Sequence, residues 1–438
     1  MEWSSALLLM FGGYILLMTL SLPVAFAFFG INLVGAFVFL GGDIGLMQFT
    51  RNTKAALTTI TLAPIPLFLL MGEILFHTGL AIRAIDAIDR LISRVPGRLS
   101  IVSITGGTIF ATLSGSTLAN AAVLGSTLMP DMVKRGYHPS LAMGPIMAVG
   151  GIAMLIPPSA LAVLLGSLAK IPITHLLIAG IIPGFMMSFA FLAYVIGRSV
   201  ANPALAPAYD VEVGSVWDRW RPFLINVVPL LGIFVVVIGS IMGGLASPTE
   251  SAALGCTASV AAAIAYRSFT WAGLLKALTE TAKITVMIFF IIAASITFSQ
   301  ILTFSGASAG LLETVQSLGA SPMVILISMI VFLLILGAFM DQISMMMLTI
   351  PFYMPIASAV GIDPLWLGVL MLIVMEIGLI TPPFGLILYV MKGVAPEWIT
   401  LGQVWVAAVP FIAIEITVLL IILVAPGVAT WLPRLILS

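Results

Sequence analysis

TLSGSTLANAAVLGSTLMP (residues 112–130), followed by MLIPPSALAVL (154–164), is a polar, proline-broken passage in an otherwise oily chain. A second passage of the same kind reads FMDQISMMMLTIPFYMP (339–355) and then GLITPPFGLIL (378–388). A shift of 225 residues lays Pro130 on Pro355, Gly136 on Gly361, Pro139 on Pro364 and Pro157-Pro158 on Pro382-Pro383. Four of the five prolines between 130 and 158 find a partner at this offset. Chance would give roughly 0.3 such matches, so an internal duplication is the better reading. Paired broken segments in the two halves of a membrane protein are the usual pointer to a transporter's binding site.

Composition sets the frame. The chain is 61% hydrophobic and 8% charged, with a mean hydropathy of +1.24. Soluble domains carry about 25% charged residues, so the chain is read as an all-α polytopic membrane protein. Apolar runs at 4–22, 24–41, 60–77, 175–196, 223–243, 247–266, 284–303 and 403–425 are long enough to cross a bilayer as helices. Segments 100–133, 140–169, 322–357 and 364–391 are apolar but interrupted by Gly, Ser or Pro. Zero net charge leaves no basic stripe for nucleic acid. The single cysteine, Cys256, implies neither a disulfide nor a metal cluster. The N-terminus lacks a basic n-region, so no cleavable signal peptide is expected.

Charge then orients the chain. Between Lys283 and Lys392 there is no Lys or Arg. Taking 100–133 and 322–357 as re-entrant hairpins puts 13 of the 17 basic residues in the cytoplasm. Arg51, Lys54, Lys170 and Arg434 fall outside, as do both termini. The first hairpin opens inward and the second outward, so the repeats are inverted. The expected organisation is a first repeat over 1–197, a cytoplasmic linker at 198–222 and a second repeat over 223–438. Scaffold helices lie at 4–77 and 223–303, hairpins at 100–133 and 322–357, and broken helices at 140–169 and 364–391.

Broken helices survive in hydrocarbon only where they line a cavity or pack against protein. Ser114-Gly115-Ser116-Thr117, with Asn120 a turn later, supplies a backbone turn and oxygen ligands suited to a hard cation such as Na⁺. Small residues also let helices approach closely, which is the alternative reading of this stretch. Asp341 follows 18 uncharged residues, and an acid at the bilayer centre costs about 2.5–3.5 kcal/mol. No basic residue lies within 49 positions on either side, so a cation from solution is the simpler partner than a lysine or arginine. The proline pairs remove backbone donors and should free the carbonyls of Ile156 and Thr381 for ion coordination. Half-helices starting after them aim their N-terminal dipoles at an anion.

Other polar groups read differently. Ser247-Pro248-Thr249-Glu250 has the pattern of a capping box. Glu73, Glu376 and Glu415 lie in or near spans and are expected to pair across helices or with another subunit. His77, His138 and His175 show no metal-ligand spacing. An intramembrane enzyme lacks its parts: no histidine lies inside an expected span, and Asp341 has no second aspartate. A channel is a third class, but inverted broken repeats suit alternating access better.

The sequence resembles the large membrane subunit of tripartite ATP-independent periplasmic (TRAP) transporters. The stretches that carry the likeness are PIPLFLLMGEILFHTGL (64–80), LSGSTLANAAVLGSTLMPDMVKRGY (113–137), LIPPS (155–159), SPTESAALG (247–255), GAFMDQ (337–342) and MEIGLITPPFG (375–385). The resemblance implies Na⁺-driven import of a small organic anion, a carboxylate or sugar acid such as a dicarboxylate or sialic acid, across the bacterial inner membrane. A periplasmic binding protein would deliver the anion, and a small four-helix membrane subunit would complete the scaffold. The length of the chain implies that this subunit is unfused. The mechanism would be of the elevator type, coupled to two or more Na⁺. Ser114, Ser116, Asn120, Gly151 and Pro157 would form one Na⁺ site, and Asp341, Thr381 and Pro382 another. The substrate would lie between the hairpin tips, against Ser116, Thr117, Ser159, Gln342 and Thr381. Asn120 stands where the family more often has Thr, and Gln342 where Gly is common. A self-sufficient Na⁺/carboxylate symporter of the same plan is the nearest alternative.

Overall fold

A computed structural model describes residues 2–92, 95–207 and 215–437, apart from the side chains of Leu113 and Ser114. Among the described residues every regular element is helical. The first half opens with α1 (Trp3–Leu7), a π-helical segment (Leu8–Gly12) and α2 (Gly13–Thr19), then α3 (Val24–Phe39), α4 (Asp43–Leu57), α5 (Pro64–His77) and α6 (Leu80–Leu91). It continues with α7 (Arg98–Ser114), α8 (Thr117–Lys134), α9 (Pro139–Gly151), α10 (Ala160–Ala169), α11 (Ile173–Ala179) and α12 (Ile181–Ala201). The second half holds α13 (Val216–Asn226), α14 (Val228–Met242), α15 (Pro248–Ala265), α16 (Trp271–Phe304) and α17 (Ala307–Ser317). It ends with α18 (Pro322–Gly337), α19 (Gln342–Val360), α20 (Pro364–Ile380), α21 (Leu386–Val394), α22 (Leu401–Val424) and α23 (Gly427–Leu437).

The offset seen in the prolines recurs in the helix starts. Thr117 and Gln342 open α8 and α19, and Pro139 and Pro364 open α9 and α20, each pair at the same spacing as Pro130 and Pro355. Local chemistry explains those starts. Pro at the first helical position gives up a donor that has no intrahelical partner, and a polar residue before it caps the end. His138 caps α9 through Ser140 N, and Asp363 caps α20 through Leu365 N at 2.8 Å. The capping box at α15 forms: Glu250 accepts from Ser247 N at 2.7 Å, and Ser247 Oγ accepts from Glu250 N at 3.3 Å.

Among the described residues, six helical stretches are long and apolar enough to cross a membrane: Ile60–His77, Ile173–Ala201, Val216–Met242, Trp271–Phe304, Gln342–Val360 and Leu401–Val424. The run expected at 284–303 is the end of the 34-residue α16, about 50 Å long. Lys276, Glu280 and Lys283 hide its first third from a hydropathy reading, and there Lys283 pairs with Glu280 at 2.8 Å. Helices α4, α6, α17 and α23 lie between or after the apolar runs, and the apolar pattern did not foretell them. The linker expected at 198–222 is partly helical, since α12 runs to Ala201 and α13 starts at Val216. Its Ala206 and Leu205 carbonyls accept backbone bonds from Gly97 and His138, which flank the α7–α8 hairpin.

Two packed groups result. In one, α16 lies against α3, α4 and α5, and α15 against α5 and α14. In the other, α9 is wrapped by α7, α8 and α22, while α20 packs on α18, α19 and α22. The groups meet where α10 and α19 face α5 and α16. At the base of α7, the largely buried Arg98 pairs with Asp89 of α6 at 2.8 Å. Burial pushes the Asp89 carboxyl above its ordinary value while the Arg98 guanidinium pulls it down.

Candidate ion and substrate site

Each hairpin turns at a tip that rests on the break in the broken helix of its own half. In the first half, Gly115 turns the chain with φ +58°, a conformation that suits glycine. A methyl added there would sit 3.4 Å from Pro158 O. In the second half, Phe384 N donates to Ala338 O at 3.2 Å. Both Pro-Pro bonds at the breaks are cis.

After each turn a polar side chain caps the returning helix. Ser116 Oγ accepts from Ala119 N at 3.4 Å and opens α8. At the equivalent position Asp341 Oδ1 accepts from Ile343 N and Ser344 N at 3.0 and 3.1 Å, and the Ser344 hydroxyl donates to Oδ2. Ser159 is buried and caps α10 by accepting from Ala162 N at 3.2 Å. The start of α21 has no such side-chain cap among the described residues.

These features converge on one cavity of about 400 Å³. Gly115, Ser116, Thr117, Asp341 and Gln342 line it, together with the first residues of α10 and α21, Ala160 and Leu386. Four helix N-termini therefore meet there, each carrying partial positive charge. The opposite wall is apolar, from Pro23, Leu69, Ile284, Ile288 and Ile291.

The chain matches the family model described as "Tripartite ATP-independent periplasmic transporter, DctM component" over residues 11–428. It belongs to that family. It is 32% identical over 406 residues to the C4-dicarboxylate TRAP transporter large permease protein of Pseudomonas aeruginosa, covering 90% of this chain and 93% of that one. It is also 32% identical over 378 residues to the 2,3-diketo-L-gulonate large permease of Escherichia coli, covering 86% and 87%. Among solved structures it resembles Neisseria gonorrhoeae MtrF in fold, with a TM-score of 0.62 at 15% identity, over 90% of this chain and 85% of that one. The chain is thus a large TRAP permease subunit, a multi-pass transport protein and not an enzyme.

The residues expected in the TRAP site divide into three groups. Ser116, Thr117, Asp341 and Gln342 meet at the cavity. Asn120, Gly151, Pro157 and Ser159 are buried and do not line it, while Thr381 and Pro382 form part of the second break. Asn120 Nδ2 bridges the carbonyls of Gly107 and Val149 at 3.3 Å each, tying both hairpin arms to α9. The Ser114 side chain lies outside the described residues.

One expectation needs correction. The Thr381 carbonyl is not freed by the proline pair, because Gly385 N donates to it at 3.0 Å and closes a turn across the break. Its hydroxyl also donates to Ile377 O at 2.6 Å. The Ile156 carbonyl accepts no such bond among the described residues. Asp341 has a structural task beyond its charge, since it caps α19. An acid followed by an apolar run is an N-cap signature, and that signal was present in the sequence.

Two features required the fold. Tyr14 is fully buried beside Ser344 and Asp341, although it looks unremarkable within the first apolar run. Glu376 and Glu415 are buried electrostatic neighbours on α20 and α22, and none of their four oxygens has a hydrogen-bond partner among the described residues. Gly151 makes room for the first of them, since a methyl there would overlap the Glu376 side chain. Glu73 pairs within its own helix, with His77 at 3.3 Å.

Proposed function

We propose that this subunit imports a small organic anion, a carboxylate or sugar acid, in exchange for the energy of an inward Na⁺ gradient. The convergence of four helix N-termini and one carboxylate on a single cavity carries the reading. Helix N-termini hold anions through oriented N–H groups. The Asp341 carboxylate and nearby hydroxyl and backbone oxygens suit a hard cation. Asp341 forms no ion pair with Lys or Arg among the described residues, so Na⁺ is the group that balances its charge. The two relatives are named for a C4-dicarboxylate and for 2,3-diketo-L-gulonate, both organic anions that fit the same polarity.

In this reading the two hairpins and broken helices move as one body against α3, α5 and α16, in elevator fashion. Two or more Na⁺ bind, one at the first break and one beside Asp341. The subunit sits in the bacterial inner membrane with both termini periplasmic and its repeats inverted. A small four-helix subunit completes the scaffold, and a periplasmic binding protein presents the anion.

The test is reconstitution in liposomes under an inward Na⁺ gradient, with a labelled C4-dicarboxylate or sugar acid, adding the small subunit and the binding protein one at a time. Uptake only with all three components is expected. Robust uptake by this chain alone would establish the self-sufficient symporter instead.

A further inference from the structure

Two more cavities lie along the seam between the packed groups, beyond the helix-tip cavity. The first, about 380 Å³, has walls from Ser295, Ser299 and Gln300 of α16, Ser167 of α10 and Met346 of α19. The second, about 400 Å³, shares Lys170 and Ser299 with it and adds Thr303 and Ser308. The helix-tip cavity uses earlier positions on the same α16 and α19 and the start of α10. Progress along α16 from Ile288 to Ser299 covers about 16 Å. The cavities thus form a file along one interface, ending at the C-terminal end of α10.

The chemistry changes along this file. Near the tips α16 offers Ile284, Ile288 and Ile291; farther along it offers Ser295, Ser299 and Thr303, spaced four apart and so on one face. Lys170 is the only charged residue among the described residues lining the two outer cavities. It is exposed, and while its backbone N–H closes α10 on Gly166 O, its ammonium makes no ion pair or hydrogen bond among the described residues. The Ser308 hydroxyl oxygen is buried and likewise has no partner there. Lys170 ends α10 with φ +56°, a left-handed conformation that helix ends usually assign to glycine. A purely structural cap would favour glycine there, whereas lysine adds a mobile positive charge over the cavity mouth.

We propose that the two outer cavities are the entry vestibule of the transport path. The Lys170 ammonium, with the Ser299, Thr303 and Ser308 hydroxyls, transiently holds the carboxylate of the incoming substrate before it reaches the helix tips. This inference rests on the reading of the chain as an importer of organic anions.

Charged thiol probes test it without a known substrate. In a Cys256→Ala background carrying Ser299→Cys, the labelling rates of anionic sulfonatoethyl and cationic trimethylammonioethyl methanethiosulfonate are compared. The anionic-to-cationic ratio should fall on the order of tenfold in Lys170→Gln, and further in Lys170→Glu. It should fall equally in Lys170→Gly, which relaxes the backbone and so separates charge from folding. Lys170→Arg should keep the ratio, and about 1 M salt should erase the difference. A ratio changed less than twofold by all three charge-removing variants overturns the proposal. Labelling needs no coupled uptake, so failure here leaves the Na⁺-driven reading intact. Absence of Na⁺-driven uptake removes that reading without altering the labelling result.

Discussion

The two hairpin tips share a backbone plan and differ in charge. Ser116 and Asp341 occupy equivalent positions, and both cap the helix that returns from the tip. In both, an oxygen at the cap position takes up the free N–H groups of the helix start. Only the second half supplies it from a carboxylate, whose capping bonds also hold it at the cavity wall. Capping therefore explains why both positions are polar, and function is left to explain why one is ionic. The breaks differ as well: the first closes on the Ser159 cap, the second on a backbone turn from Gly385 to Thr381.

The largest expected effect concerns the orientation of the halves. Gly136 and Gly361 occupy equivalent turns, with φ +75° and +77°. A cysteine beside Gly361 should react with an impermeant thiol reagent from outside, and one beside Gly136 should not. Reaction of both from one side would abolish the inverted relation and, with it, the comparison.

A smaller effect should separate the two halves in packing. Gly378 approaches Gly337 so closely that an added methyl would lie 2.9 Å from its Cα. The equivalent pair in the first half is Thr112 and Ala153, which already carry side chains. Gly378→Ala should therefore destabilise the second half by about 1–3 kcal/mol, read as a lower melting temperature of purified protein. Unchanged melting would mean that the two crossings are equally tolerant.

The smallest effect is at Ser116. Ser116→Ala removes a neutral cap and should cost about 1 kcal/mol, while Ser116→Asp should keep the helix start intact. Equal thermal stability of all three proteins would show that the first tip does not depend on its cap.

Much of this plan was legible from local chemistry. Gly115, the proline pairs and Asp341 interrupt apolar runs, and such interruptions mark breaks wherever the solvent is lipid. The start and length of α16 were not legible, because its charged first turns look like a loop to a hydropathy window. Helices α4 and α6 were missed for a related reason, since they are mixed in polarity. The bond from Gly385 to Thr381 depends on how the chain turns after the prolines, which proline rules do not specify. The approach of Glu376 to Glu415 and of Tyr14 to Asp341 arises between distant helices, so no spacing in the sequence encodes it.

Asp341 is proposed to hold a transported cation in addition to capping α19. Binding of radioactive Na⁺ to the purified chain, compared with Asp341→Asn, tests it most directly. Asparagine caps helices about as well as aspartate, so helix content and melting should hold while the charge is lost. Saturable Na⁺ binding is expected in the native chain, and it should be lost or weakened on the order of a hundredfold in the variant. Undiminished binding with the same affinity would contradict it.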